Sequence, residues 1–244
     1  MQTLANRRSS HEKAGLAMGL GAILLWSISA ASIVFTGKRI GIWQSMGLAA
    51  LATGLLQTVG HVVLGRSLRA ILVPPPKFWL AIFLGYLFYL MLYAAGLATA
   101  RTEVEIVGVG LMNFLWPVLA ILFTTWLVPG ERLRGRLIVA MGLSLAGVVL
   151  SNPPGRSSPG ETSNPWPYAL GALAAVAWAL YCALVSRWRH WARNYAAGPL
   201  GFLLVGVAAL GVCVWRGEWQ TMDGVAWMGV LFIALGPWAG GYLL

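Results

Sequence analysis

The sequence predicts an all-α membrane protein. Three observations carry this: the 244-residue chain is 59% hydrophobic, only 10% of it is charged, and its mean hydropathy is +0.75. A soluble domain usually carries about 25% charged residues. So much apolar surface suits a chain whose solvent is lipid. Thirteen Trp and thirty Gly fit the same picture, since Trp favours the membrane–water interface and Gly lets helices approach closely in lipid.

About eight apolar runs are long enough to span, at 14–36, 42–65, 78–100, 104–128, 137–150, 168–185, 199–215 and 224–244. The first follows Arg7, Arg8 and Lys13, and Ser29-Ala30-Ala31 resembles a cleavage site. It is nevertheless long for the apolar part of a signal peptide, and further spans follow, so it reads as a helix that stays. The third carries Tyr86, Tyr89 and Tyr93 at spacings of three and four, which is one helical stripe. The fourth holds Pro117 in its middle. The fifth is short, so its flanks are expected to enter the membrane. A polar stretch then intervenes, and residues 153–167, rich in Pro, Ser and Gly, read as a linker. The apolar runs are continuous rather than alternating, which argues against an outer-membrane barrel.

With the N-terminus inside, the inner ends carry Arg7, Arg8, Lys13, Arg66, Arg69, Lys77, Arg132, Arg134, Arg136, Arg187, Arg189 and Arg193. The outer ends carry only Lys38, Arg39, Arg101, Arg156 and Arg216. The acids lean the other way, with Glu103, Glu105, Glu161, Glu218 and Asp223 outside. The positive-inside rule therefore places the N-terminus in the cytoplasm. It also explains the net charge of +10 without a nucleic-acid partner.

The two halves resemble each other. Gly19 and Trp26 recur as Gly171 and Trp178; Gly85, Leu87, Phe88, Ala95 and Gly96 recur as Gly229, Leu231, Phe232, Ala239 and Gly240. Residues 1–152 hold five runs, an odd number, so the second repeat, 168–244, starts from the opposite side and is inverted. Inverted repeats mark secondary transporters, with the substrate site near the midplane between them. The second repeat has three runs here. The repeat thus predicts two more helices after Leu244, and the chain reads as incomplete at that end.

Three places suit a binding cavity. In Asn113-Phe114-Leu115-Trp116-Pro117, Pro117 has no N–H for the carbonyl of Asn113, so one turn offers a carbonyl, an amide and an indole in mid-span. Asn113, Trp116 and Ala120 would share a face. Tyr89 and Tyr93 bring phenols that need partners in lipid, with Tyr86 read as packing. Trp178, Tyr181 and Cys182 form a third face. Together they predict an aromatic-walled pocket, with Pro117 and Pro237 as kinks or hinges. His61 reads as packing near a helix end, Glu103 and Glu105 as favourable charges at a helix N-terminus, and Gly15/Gly19 and Gly236/Gly240 as close helix contacts.

Hydrolytic and nucleotide-binding motifs are missing from the sequence. His11, His61 and His190 are scattered, and neither Cys182 nor Cys213 has metal-ligand spacing. No enzyme, metal or cofactor is predicted. A cation exporter would place a carboxylate in mid-membrane. Every Asp and Glu lies in a predicted loop or helix end, which favours zwitterionic or neutral cargo.

Pro129-Gly130-Glu131-Arg132-Leu133, followed by Gly142, Gly147 and Ser151-Asn152, resembles the end of an EamA repeat of the drug/metabolite transporter superfamily. Leu25-Trp26-Ser27, the run from Asn113 to Pro117, and Trp178-Ala179-Leu180-Tyr181-Cys182 resemble the aromatic amino acid exporters within it. The resemblance covers nearly the whole chain. It implies ten helices in two inverted five-helix repeats, in the bacterial inner membrane with both termini cytoplasmic. It also implies export of aromatic and other neutral amino acids, or, as the alternative, of other small metabolites or drugs. The implied pocket positions are Tyr89, Tyr93, Phe114, Trp116 and Trp178. Phe114 stands where a Tyr is common and Leu90 where a polar residue occurs in relatives, so the pocket is expected to be less polar.

Overall fold

The computed structural model describes residues 2–151, 164–192 and 195–241, with 2–14, 148–149, 151 and 191–192 described by backbone alone. Each apolar run forms a helix, and no strand occurs among the described residues. The helices are α1 (Gln2–Ile40), α2 (Ile42–Val63), α3 (Pro76–Thr99), α4 (Glu103–Leu127), α5 (Gly135–Ser151), α6 (Pro165–Arg187), α7 (Ala197–Trp215) and α8 (Gly224–Gly240). Six of them (α1 to α4, α6 and α7) are long and apolar enough to cross a membrane; α5 and α8 are shorter. Most of the predicted linker lies outside the described residues, but its last part does not. Asn164 caps α6 by accepting from the Trp166 N–H at 3.2 Å, and Pro165 supplies the preset first-turn geometry. The helix therefore starts earlier than its apolar run.

The outside of the bundle is apolar. Leu16, Val63, Leu143 and Trp215 are all well exposed, which is costly in water and neutral in lipid. Inside, α2 packs along α7, α6 packs on α3 and on both halves of α4, and α1 packs chiefly on α2 and α8.

Glycines set the α2–α7 contact. A Cβ on Gly54 would fall 2.8 Å from Leu203 Cγ, and one on Gly206 would fall 2.5 Å from Leu51 Cγ. Leu203 and Gly206 follow Leu51 and Gly54 at the same offset that carries Trp26 to Trp178. Exchanging α2 with α7 therefore maps one contact onto the other. The glycine pairs expected to make close contacts behave differently. Space is open around Gly15, Gly19 and Gly236, and only Gly240 has near neighbours, among them Leu25. Among the described residues, then, those three make no close helix contact, because their faces do not point at another helix.

Two helices depart from the regular α form. In α3 the turn Phe83–Phe88 is π-helical, and in α8 the turn Ala234–Gly240 is π-helical around Pro237, whose missing N–H breaks the regular ladder. In α4 the helix ends at Asn113 and restarts at Trp116. The Leu115 N–H bonds the Met112 carbonyl at 3.2 Å, a tighter turn that takes the chain past Pro117.

At one end of the bundle Lys38 pairs with Glu103, Arg39 with Asp223 at 2.8 Å, and Arg216 with Glu218. These pairs are exposed and contribute little stability singly, about 0–1 kcal/mol. The first two tie the end of α1 to the starts of α4 and α8. Glu105 does structural work at the same end. It accepts from the Arg101 N–H at 2.6 Å and the Asn164 N–H at 3.1 Å, joining the starts of α4 and α6. Thr102 caps α4 by accepting from the Glu105 N–H. His61 holds a turn through the Ser67 carbonyl at 3.2 Å.

Candidate functional site

A cavity of about 350 Å³ opens between α1, α3, α4, α6 and α8. Small-molecule pockets run from about 300 to 1,000 Å³, so one amino acid side chain with its backbone fits. Tyr89, Leu90 and Tyr93 come from α3, just after its π-helical turn. Asn113, Phe114, Trp116 and Pro117 come from α4, Trp178 from α6, and Trp238 from α8. Trp26, Ser27 and Ser29 close the wall from α1. Among the described residues that line it, none is charged.

The break in α4 explains its share. On a straight helix each residue turns by about 100°, so 113, 114, 116 and 117 would spread over roughly 160°, close to half the helix surface. The irregular turn at Phe114 and Leu115 brings them to it together. Ala120, expected on the same face as Asn113 and Trp116, is not part of the wall; it follows Trp116 in the same continuous segment, one turn further from the break.

The rings are set at angles to one another. Trp178 lies 4.9 Å from Tyr89, tilted by 36°. Trp116 stands edge-on to Trp178 at 6.3 Å and 89°, and edge-on to Trp26 at 6.4 Å and 80°. Tyr89 and Tyr93 stack at 6.4 Å. Edge-to-face rings each add about 0.5–1.5 kcal/mol beyond their burial, so the wall is preorganised.

Its polar atoms are few. Asn113 Nδ2 donates to Tyr89 Oη at 3.3 Å, whereas Asn113 Oδ1 is buried and has no hydrogen-bond partner among the described residues. Such an acceptor costs about 1–3 kcal/mol when left unmade. The cavity thus offers flat apolar faces for an aromatic group and an oriented amide for a polar one.

No protein-family model matches the chain. Curated relatives do match. The aromatic amino acid exporter YddG of Escherichia coli (strain K12) is 32% identical over 209 residues, 82% of this chain and 67% of the relative. The chain belongs to the YddG exporter family. The YddG of Salmonella typhimurium (strain 14028s / SGSC 2262) is 30% identical over 200 residues, 78% of this chain and 64% of the relative. That of Ancylobacter novellus is 29% identical over 235 residues, 90% of this chain and 74% of the relative. The chain therefore spans about two thirds to three quarters of the length of these YddG relatives. A solved crystal structure of a protein superposes with a TM-score of 0.72 at 28% identity, over 94% of this chain and 77% of the other.

Of the positions picked from the sequence of this YddG-family chain, Tyr89, Tyr93, Asn113, Phe114, Trp116, Pro117 and Trp178 come together on the cavity. Tyr181 does not line it. Its ring lies behind Trp178, 4.9 Å away and 5.6 Å from Tyr86, where it fills the space left by the missing side chain of Gly85. Tyr86 is packed among Tyr181, Phe202 and Trp178, as expected. Pro237 sits beside the cavity rather than on it, with its neighbour Trp238 on the wall. Trp238, Ser27 and Ser29 were missed. The signal for Trp238 was its place next to Pro237; the membrane part of α1 carries small hydroxyls on several sides (Ser27, Ser29, Ser32) and gave no sign of which face turns inward.

Proposed function

We propose that this chain exports aromatic and other neutral amino acids across the bacterial inner membrane. The observation that carries the reading is the cavity whose described lining is uncharged, walled by four tryptophans of α1, α4, α6 and α8 and holding an oriented amide. Its ring faces suit a flat side chain, and its lack of charge suits a zwitterion with no net charge. The names of the curated relatives support the same cargo.

Movement follows by alternating access between two inverted repeats, 1–152 and 168–244. The reciprocal Gly54–Leu203 and Leu51–Gly206 contacts support this symmetry, with its axis between α2 and α7. Pro117 and the π-helical turn around Pro237 are the hinges, since each already interrupts its helix ladder. The N-terminus is cytoplasmic. In support, the ion pairs Lys38–Glu103, Arg39–Asp223 and Arg216–Glu218 all fall at the predicted outer end, so the inner end keeps the surplus positive charge.

The test is counterflow. Liposomes carrying the chain and loaded with phenylalanine should accumulate external labelled tryptophan above protein-free liposomes. Folded protein in the membrane with no flux of either amino acid overturns the cargo.

A further inference from the structure

We infer that Asn113 Oδ1 is the acceptor for the α-ammonium group of the carried amino acid. This rests on the amino acid reading of the same cavity and specifies how that cavity orients its cargo.

Four observations converge. Asn113 is 9% exposed and lies on the cavity wall. Its amide is held in one orientation by donation from Nδ2 to Tyr89 Oη. The other end of the amide, Oδ1, is buried without a partner among the described residues. Four residues on stands Pro117, which has no N–H to give the Asn113 carbonyl. One residue thus brings two acceptor oxygens to the break in α4, where the helix supplies neither with its ordinary donor. A buried acceptor in a native fold is satisfied by protein, water or ligand. A protonated amine carries three N–H donors and no acceptor, which complements that pair. Among the described lining residues there is no carboxylate to compete for the amine.

Specificity follows from the same geometry. A site that binds N–H groups discriminates strongly against an analogue lacking them, because its own acceptor is then left unpaired. The side chain of the cargo lies against the indoles, and the amine end points to α4. Phenylalanine and phenethylamine both present the amine, whereas 3-phenylpropanoate has the same ring and carboxylate without it.

The experiment is competition by these three compounds against labelled phenylalanine bound to the purified full chain. For the wild-type protein we expect phenylalanine and phenethylamine to compete, and 3-phenylpropanoate to be at least about tenfold weaker than phenylalanine. In Asn113→Leu that ratio should collapse to about twofold. In Asn113→Asp, which keeps the shape and adds a charge, phenethylamine should bind about tenfold or more tighter relative to phenylalanine. A wild-type ratio retained in both variants overturns the assignment while leaving the cargo reading intact. So does a variant that gains 3-phenylpropanoate binding while phenethylamine is unchanged, because the amide would then face the carboxylate. If none of the three compounds binds the wild-type chain, the amino acid reading falls and this inference falls with it.

Discussion

Trp26 and Trp116 meet edge to face, their centroids 6.4 Å apart and their planes at 80°. The two rings belong to helices that also meet at the Lys38–Glu103 ion pair, while α1 packs chiefly on α2 and α8 and α4 on α6. Trp116 also stands edge-on to Trp178. It is therefore the ring that links α1 to α6 across the cavity.

Removing that ring should abolish transport without removing the fold. Trp116→Ala is expected to bring counterflow to the level of protein-free liposomes, with membrane insertion and monodispersity unchanged. The side chain faces a cavity rather than a filled core, so its loss opens the wall more than it empties the interior. Normal flux in this variant would take α4 out of the pocket.

Straightening α4 should also disable the site. Pro117→Ala returns an N–H to the ladder and relaxes the need for the irregular turn at Phe114 and Leu115. Phe114 then rotates off the wall. The expected result is a higher melting temperature with transport reduced at least about tenfold, roughly 1.4 kcal/mol of the barrier. Unchanged flux would mean that the break is not a hinge.

How much of this was legible in the sequence depends on what each residue signals locally. The helices were legible because long apolar runs have one solution in lipid. Tyr89, Tyr93, Asn113, Trp116 and Trp178 were legible because polar or aromatic atoms in such runs stand out. Ser27 and Ser29 were not, since Ser27 Oγ returns its hydrogen bond to the Leu24 carbonyl of its own helix and a small residue of that kind reads as packing. Tyr181 had the right type and spacing, but Trp178 stands in front of it. Gly54 and Gly206 were not singled out, because their partners are leucines on a distant antiparallel helix and not a second small residue one turn away.

Glu105 gives a stability prediction that separates capping from charge. Its carboxylate accepts from two backbone N–H groups, of Arg101 and Asn164, and the residue is buried. Glu105→Ala leaves both donors unpaired and should cost about 1–3 kcal/mol. Glu105→Gln keeps one acceptor oxygen and should recover part of that loss. Thermal unfolding in detergent reads both. Equal stability of all three proteins would mean that water replaces the carboxylate at no cost.

The reciprocal glycine contact makes the sharpest test of the fold. Gly206→Ala puts a Cβ 2.5 Å from Leu51 Cγ and 2.8 Å from the Leu51 backbone nitrogen, so the helices must part. Overpacking of this kind costs about 1–3 kcal/mol. Gly211→Ala, one turn further along α7, meets nothing within 4 Å and should be neutral or gain up to about 1 kcal/mol from helix propensity. Gly54→Ala makes the same clash with Leu203 from the other helix, and its cost should match that of Gly206→Ala if exchange of α2 and α7 is a true symmetry of the packing. Melting temperatures of the three variants decide it. A large loss at Gly206 with none at Gly54 would mean that the two contacts are not equivalent and that the axis does not run between these helices.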